Sequence, residues 1–137
     1  EPLRAGRAKM LDDKHFNMIP IEDVEKENYN CTSDSNPLLT VFPDGYGALH
    51  QCCWVHPYLV RRIQGKNWIE VLAREMEDDY AVNLLGECGV AGLIEWARVN
   101  EPQLLKDYYS HPCEVCYDLL AKVRRRVTIT PMVGSVR

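Results

Sequence analysis

Six cysteines are spread along this 137-residue chain, at Cys31, Cys52, Cys53, Cys88, Cys113 and Cys116, and the last two form Cys113-Glu114-Val115-Cys116. Two ligands from a C-x-x-C, one from a hairpin and one from a loop are enough to hold a metal centre. A set so scattered also ties the two ends of a domain together. Cysteine chemistry, not a charge patch or a nucleotide loop, is therefore the chemistry to expect.

The length suits one domain and can bury a core without crosslinks, so a metal would not be the sole reason the chain folds. A formal net charge of -4 gives no global basic field to attract nucleic acid. The basic run Lys122, Arg124-Arg125-Arg126 and Arg137 lacks interleaved aromatics and suits a helix end. Apolar stretches of the Leu38 to Phe42 kind are too short to span a membrane. The opening stretch EPLRAGRAKMLDD is too charged for a secretory signal. A cytoplasmic location follows as the expectation, with cysteines metal-bound or reduced rather than paired. The sequon Asn30-Cys31-Thr32 would matter only in a secreted protein.

Residues 1–30 read as a linker, with Glu1 to Ala8 as a connector, and residues 11–37 read as polar loop with one short turn of helix. The acidic run Glu22 to Glu27 reads as a solvated face. Leu38 to Phe42 is a strand by composition. Pro43-Asp44-Gly45-Tyr46-Gly47 is a turn, with proline presetting φ and glycine tolerating positive φ. Ala48 to Cys53 returns as the partner strand, giving a β-hairpin. Helical patterning follows. Asn67 can cap a helix over Trp68 to Met76. Ala81 to Leu85 and Val90 to Val99 form two further segments, separated by Gly86 and Gly89, with Leu93, Ile94 and Ala97 inward. Pro102 starts a short helix, Gln103 to Tyr109. A last helix runs from Cys113 to about Val127, with Leu119, Leu120 and Val123 buried, and 128–137 form a tail. Trp68 and Trp96 read as core. The fold class is α+β, a β-hairpin plus several helices around a cysteine-bound site.

Cys113 and Cys116, in a turn leading into a helix, can both reach one metal, and a helix N-terminus favours thiolate. His111 could serve as a ligand but reads rather as a surface or capping residue, and Pro112 as fixing the start of the helix. Cys52 and Cys53 point to opposite faces in a regular strand, so one of them would face the metal, while a bend at the strand end could bring both in. Trp54, next to them, would shield it. Cys31 lies near the base of the hairpin. Cys88 reads as a buried small hydrophobe rather than a ligand. Only one C-x-x-C knuckle is present, where zinc ribbons usually pair two, and iron–sulfur clusters accept more scattered ligands. Spacing leaves zinc and iron–sulfur both open.

Gly6-Arg7-Ala8, Cys31, Leu39-Thr40-Val41-Phe42-Pro43-Asp44-Gly45, Cys52-Cys53 and Cys113-x-x-Cys116 occur here in that order. This order resembles the SPASM or twitch domain, the C-terminal extension of radical S-adenosylmethionine enzymes. The helical stretch between Asn67 and Tyr109, with Leu84-Leu85-Gly86 and Gly92-Leu93-Ile94, is similar to members with helices before the closing C-x-x-C. The likeness covers roughly residues 1–120. It implies an auxiliary [4Fe–4S] cluster held by Cys31, Cys52, Cys113 and Cys116, with Cys53 the alternate to Cys52. It further implies a domain over 31–127, preceded by a linker from an N-terminal barrel. Its implied role is substrate binding or electron transfer in an enzyme that modifies peptides or proteins.

The C-x-x-x-C-x-x-C signature and the barrel that bind the catalytic cluster and S-adenosylmethionine are nowhere in the sequence. The implied partner is thus a radical S-adenosylmethionine catalytic domain or subunit, without which the chain is inactive. Arg61, Arg62 and Lys66 could steer an acidic peptide, although ordinary surface charge accounts for them as well. The alternative is a zinc-stabilised binding module without redox activity, built on the same cysteines.

Overall fold

The computed structural model describes residues 10–30, 38–50 and 57–134, with side chains through Val123 except those of His50 and Pro57. Helices and small antiparallel sheets are mixed. In chain order the elements are β1 (Ile19–Pro20), α1 (Ile21–Glu27), β2 (Leu38–Val41), β3 (Tyr46–His50), β4 (Arg61–Arg62), α2 (Trp68–Glu77), α3 (Tyr80–Asn100), β5 (Tyr108–Tyr109) and α4 (Pro112–Gly134).

The hairpin forms where the turn residues demand it. Gly45 N donates to Phe42 O at 3.3 Å and Phe42 N to Tyr46 O at 2.7 Å, closing a loop of Pro43, Asp44 and Gly45. Gly45 has φ +86, which glycine adopts without steric cost. The register pairs Leu39 with Leu49 and Val41 with Gly47. Arg61 and Arg62 then add a third strand, pairing with Gly47 and Tyr46, which residue pattern did not announce. The other sheet joins the two halves of the chain, with Ile19 opposite Tyr109 and Pro20 opposite Tyr108.

The core lies mainly between α3 and α4. Leu93, Ile94 and Ala97 of α3 and Val115, Leu119 and Val123 of α4 have no exposed surface. Their spacing at three and four residues puts each set on one helical face. Burying each large aliphatic chain contributes roughly 1.5–3 kcal/mol. Val24 of α1, Ala48 of β3 and Tyr109 of β5 close the same cluster.

Several expectations are corrected. The described part of the linker, 10–30, carries a helix, and its Phe16, Ile21 and Val24 are buried. An apolar pair three apart was enough to dock a seven-residue helix whose acidic residues otherwise face outward. The break expected at Gly86 and Gly89 occurs at Gly89 alone. Pro102 starts only a three-residue 3-10 turn, and Tyr108–Tyr109 is strand rather than helix, because it pairs with β1. α4 runs to Gly134, through most of the expected tail. Asn67 precedes α2, but its side chain makes no capping bond. Trp68 and Trp96 are half-buried, and Trp96 packs on the core.

Candidate functional site

The start of α4 is built in layers around Cys113. Pro112 takes the first helical position, where a missing N–H costs nothing. His111 precedes it as the cap, and its Nδ1 accepts from Cys113 N at 3.1 Å. His111 O accepts from Glu114 N at 2.9 Å. Two of the amides a helix start leaves without intrahelical partners are thus satisfied by one residue. The capping role expected of His111 is what the structure shows.

Cys113 is buried and Cys116 half-buried. Positions three apart on an α-helix are neighbours on one face. The ring of Tyr29 meets that of His111 edge to face, with centroids 5.8 Å apart. This contact brings the chain that leads into Cys31 beside the turn that carries Cys113.

The approach to Cys31 is fixed by the break in α3. Gly89 has φ 68 and ψ -167, a region open essentially to glycine only. The break leaves amide groups of α3 without helical carbonyls, and the segment after α1 supplies the acceptors. Val90 N donates to Tyr29 O at 3.0 Å. Ala91 N donates to Asn28 Oδ1 at 3.0 Å. Asn30 Nδ2 in turn donates to Gly86 O at 2.9 Å. Asn28 itself is left-handed, with φ 46, a conformation asparagine tolerates better than most residues.

Opposite the cysteines, Glu114 is 1% exposed. Its Oε2 accepts from Ser110 N at 2.6 Å and from Ser110 Oγ at 2.8 Å. Its Oε1 is 3.1 Å from Lys106 Nζ, which also lies 3.0 Å from Asp118 Oδ2. Burial alone would lower the Lys106 ammonium, but its bonds to Asp118 and Glu114 outweigh that and hold it above its ordinary value. Burial pushes the Tyr109 hydroxyl up. Sequence reasoning missed this network, although Glu114 lies inside the C-x-x-C. The signal was a carboxylate in the third helical position, a pattern that reaches back to amides before the helix.

Cys31, Cys52, Cys53 and Trp54 lie outside the described residues. Cys88 is exposed, contrary to its reading as a buried hydrophobe. Ala81, Leu85 and Gly89, four residues apart, take the inward positions, which leaves Cys88 off that stripe. Arg61 is no steering charge. It donates to Tyr58 O and, at 3.2 Å, to Val60 O, and it pairs with Glu75 at 3.4 Å. Arg62 and Lys66 are exposed.

Among the described residues, no three His, Cys, Asp or Glu side chains converge as a metal site. None of the described helices is long and apolar enough to cross a membrane. Comparison with known proteins returns no match: no family model, curated protein or solved structure matches the chain.

Proposed function

We propose that this chain is the auxiliary-cluster domain of a radical S-adenosylmethionine enzyme that modifies peptides or proteins. Cys113 and Cys116 supply two thiolates. Cys31 and Cys52, or Cys53 in place of Cys52, complete the set. The observation that carries this reading is the start of α4. There two thiols lie three residues apart, at neighbouring positions of a helix capped by His111, and a helix N-terminus favours thiolates and hence soft metals. Tyr29 packs on His111 at that same turn.

The donor chemistry fits an iron–sulfur cluster, which takes thiolates from scattered segments. When bound, the group would supply a one-electron site or a substrate anchor. The chain's own part is to hold the sulfurs and exclude water: Pro112 and Val115 are buried on either side of Cys113 and Glu114. S-adenosylmethionine and the catalytic cluster belong to the partner barrel.

Iron, acid-labile sulfide and zinc per chain, measured with an absorption spectrum on protein purified without oxygen, test the reading. About four irons and four sulfides are expected. Stoichiometric zinc without sulfide would replace it with a closed structural module.

A further inference from the structure

Glu114 is the one buried carboxylate between the two cysteines, and none of its bonds is to a group a metal would need. Ser110 holds Oε2 through its N–H and its hydroxyl, and Lys106 holds Oε1. Lys106 N donates to Tyr109 Oη at 3.1 Å, and Tyr109 is fully buried opposite Ile19. The carboxylate therefore fastens the first turn of α4 to the β5–α4 connection, and through it to the β1–β5 sheet. His111 holds the turn at the Cys113 amide, and the Glu114 side chain holds it at Ser110 and Lys106.

A helix start can be capped with a serine or an aspartate alone. A desolvated carboxylate with three donors is a costlier device, tolerated only when fully bonded. Here it sits in a turn whose chemistry-bearing side chains are two thiols. The geometry points to Glu114 as the positioning residue of Cys113-x-x-Cys116, fixing the turn so that both sulfurs keep their spacing before any metal arrives. The inference rests on the reading of these cysteines as cluster ligands. Groups that orient metal ligands without touching the metal typically cost 10–100-fold in affinity when removed.

The test uses the full chain, reconstituted without oxygen from ferrous and ferric iron with sulfide. Cluster loss to a chelator is followed by the fading of the visible absorption, in wild type, Glu114→Ala and Glu114→Gln. Loss from Glu114→Ala is expected to be about 10–100-fold faster, with Glu114→Gln between the two because it keeps an acceptor for Ser110. Leu72→Ala, a core truncation on α2, supplies the control. It should lower the melting temperature without speeding cluster loss, which separates positioning from general stability. Loss from Glu114→Ala at the wild-type rate overturns the inference. If that variant does not fold, loss from Glu114→Gln at the wild-type rate overturns it. A wild-type chain that takes up neither iron nor sulfide overturns the cluster reading itself, and this inference with it.

Discussion

Tyr29 and His111 meet edge to face, their ring planes at 72°, and this contact joins the end of the N-terminal segment to the start of the last helix. Edge-to-face aromatic pairs contribute about 0.5–1.5 kcal/mol beyond area burial. A double-mutant cycle with Tyr29→Ala and His111→Ala, read by denaturant unfolding, should return a coupling in that range. A coupling of zero would mean that the rings touch without holding the two segments together. His111→Ala alone should also lose its cap, about 0.5–2 kcal/mol.

Gly89→Ala should destabilise the chain more than an ordinary surface substitution. The added Cβ would meet both the unfavourable positive φ and the Asn28 side chain. Backbone forced into this region costs of order 1–3 kcal/mol. Urea unfolding checks it, and Gly65→Ala serves as the comparison: Gly65 shares the positive φ, at +79, but a Cβ there meets open space, so the difference isolates the contact with Asn28.

Alkaline pH should weaken the fold through Lys106 and Tyr109. Both have folded pKa values above their unfolded ones. The native state therefore holds more protons than the unfolded state just above the ordinary values, about 10.4 for lysine and 10 for tyrosine. The stability they add is complete below those values and is lost as pH rises through the folded ones. The alkaline limb of a stability–pH curve should flatten in Lys106→Met. An unchanged limb would remove Lys106 from the account.

Arg98 offers a contrast. It pairs with Glu25 and, at 3.1 Å, with Glu95. The bond to Glu25, above all, raises its pKa. The Arg98 side chain is nevertheless 45% exposed, and exposed pairs are worth about 0–1 kcal/mol. Arg98→Ala should cost less than 1 kcal/mol by that measure, and less still in high salt. A loss of several kcal/mol would show that α1 is held to α3 by this pair rather than by Ile21 and Val24.

The parts of this fold that could be read from residues are those with local causes. Pro43-Asp44-Gly45 specified the hairpin, the spacing of Leu93, Ile94 and Ala97 gave the inward face of α3, and His111-Pro112 marked the start of α4. What escaped reading depends on distant partners. Ile21 and Val24 form a helix because α3 covers them, and Arg61 joins a sheet because β3 offers an edge. Tyr108–Tyr109 is extended because Ile19–Pro20 lies opposite. In the candidate site, the cysteine pair and its cap were visible as neighbours in sequence. Lys106, Ser110 and Glu114 were not, since charged and polar residues normally read as surface.

The break at Gly89 also carries a clock. Val90 and Ala91 give their amide protons to acceptors on Tyr29 and Asn28, not to their own helix. Their exchange with solvent therefore reports whether the distant N-terminal segment is docked, while the exchange of deeper α3 amides reports the helix itself. Closing so long a loop is entropically slow compared with pairing adjacent helices. During refolding these two protons should gain protection after their helical neighbours do, timing the arrival of the chain that leads to Cys31.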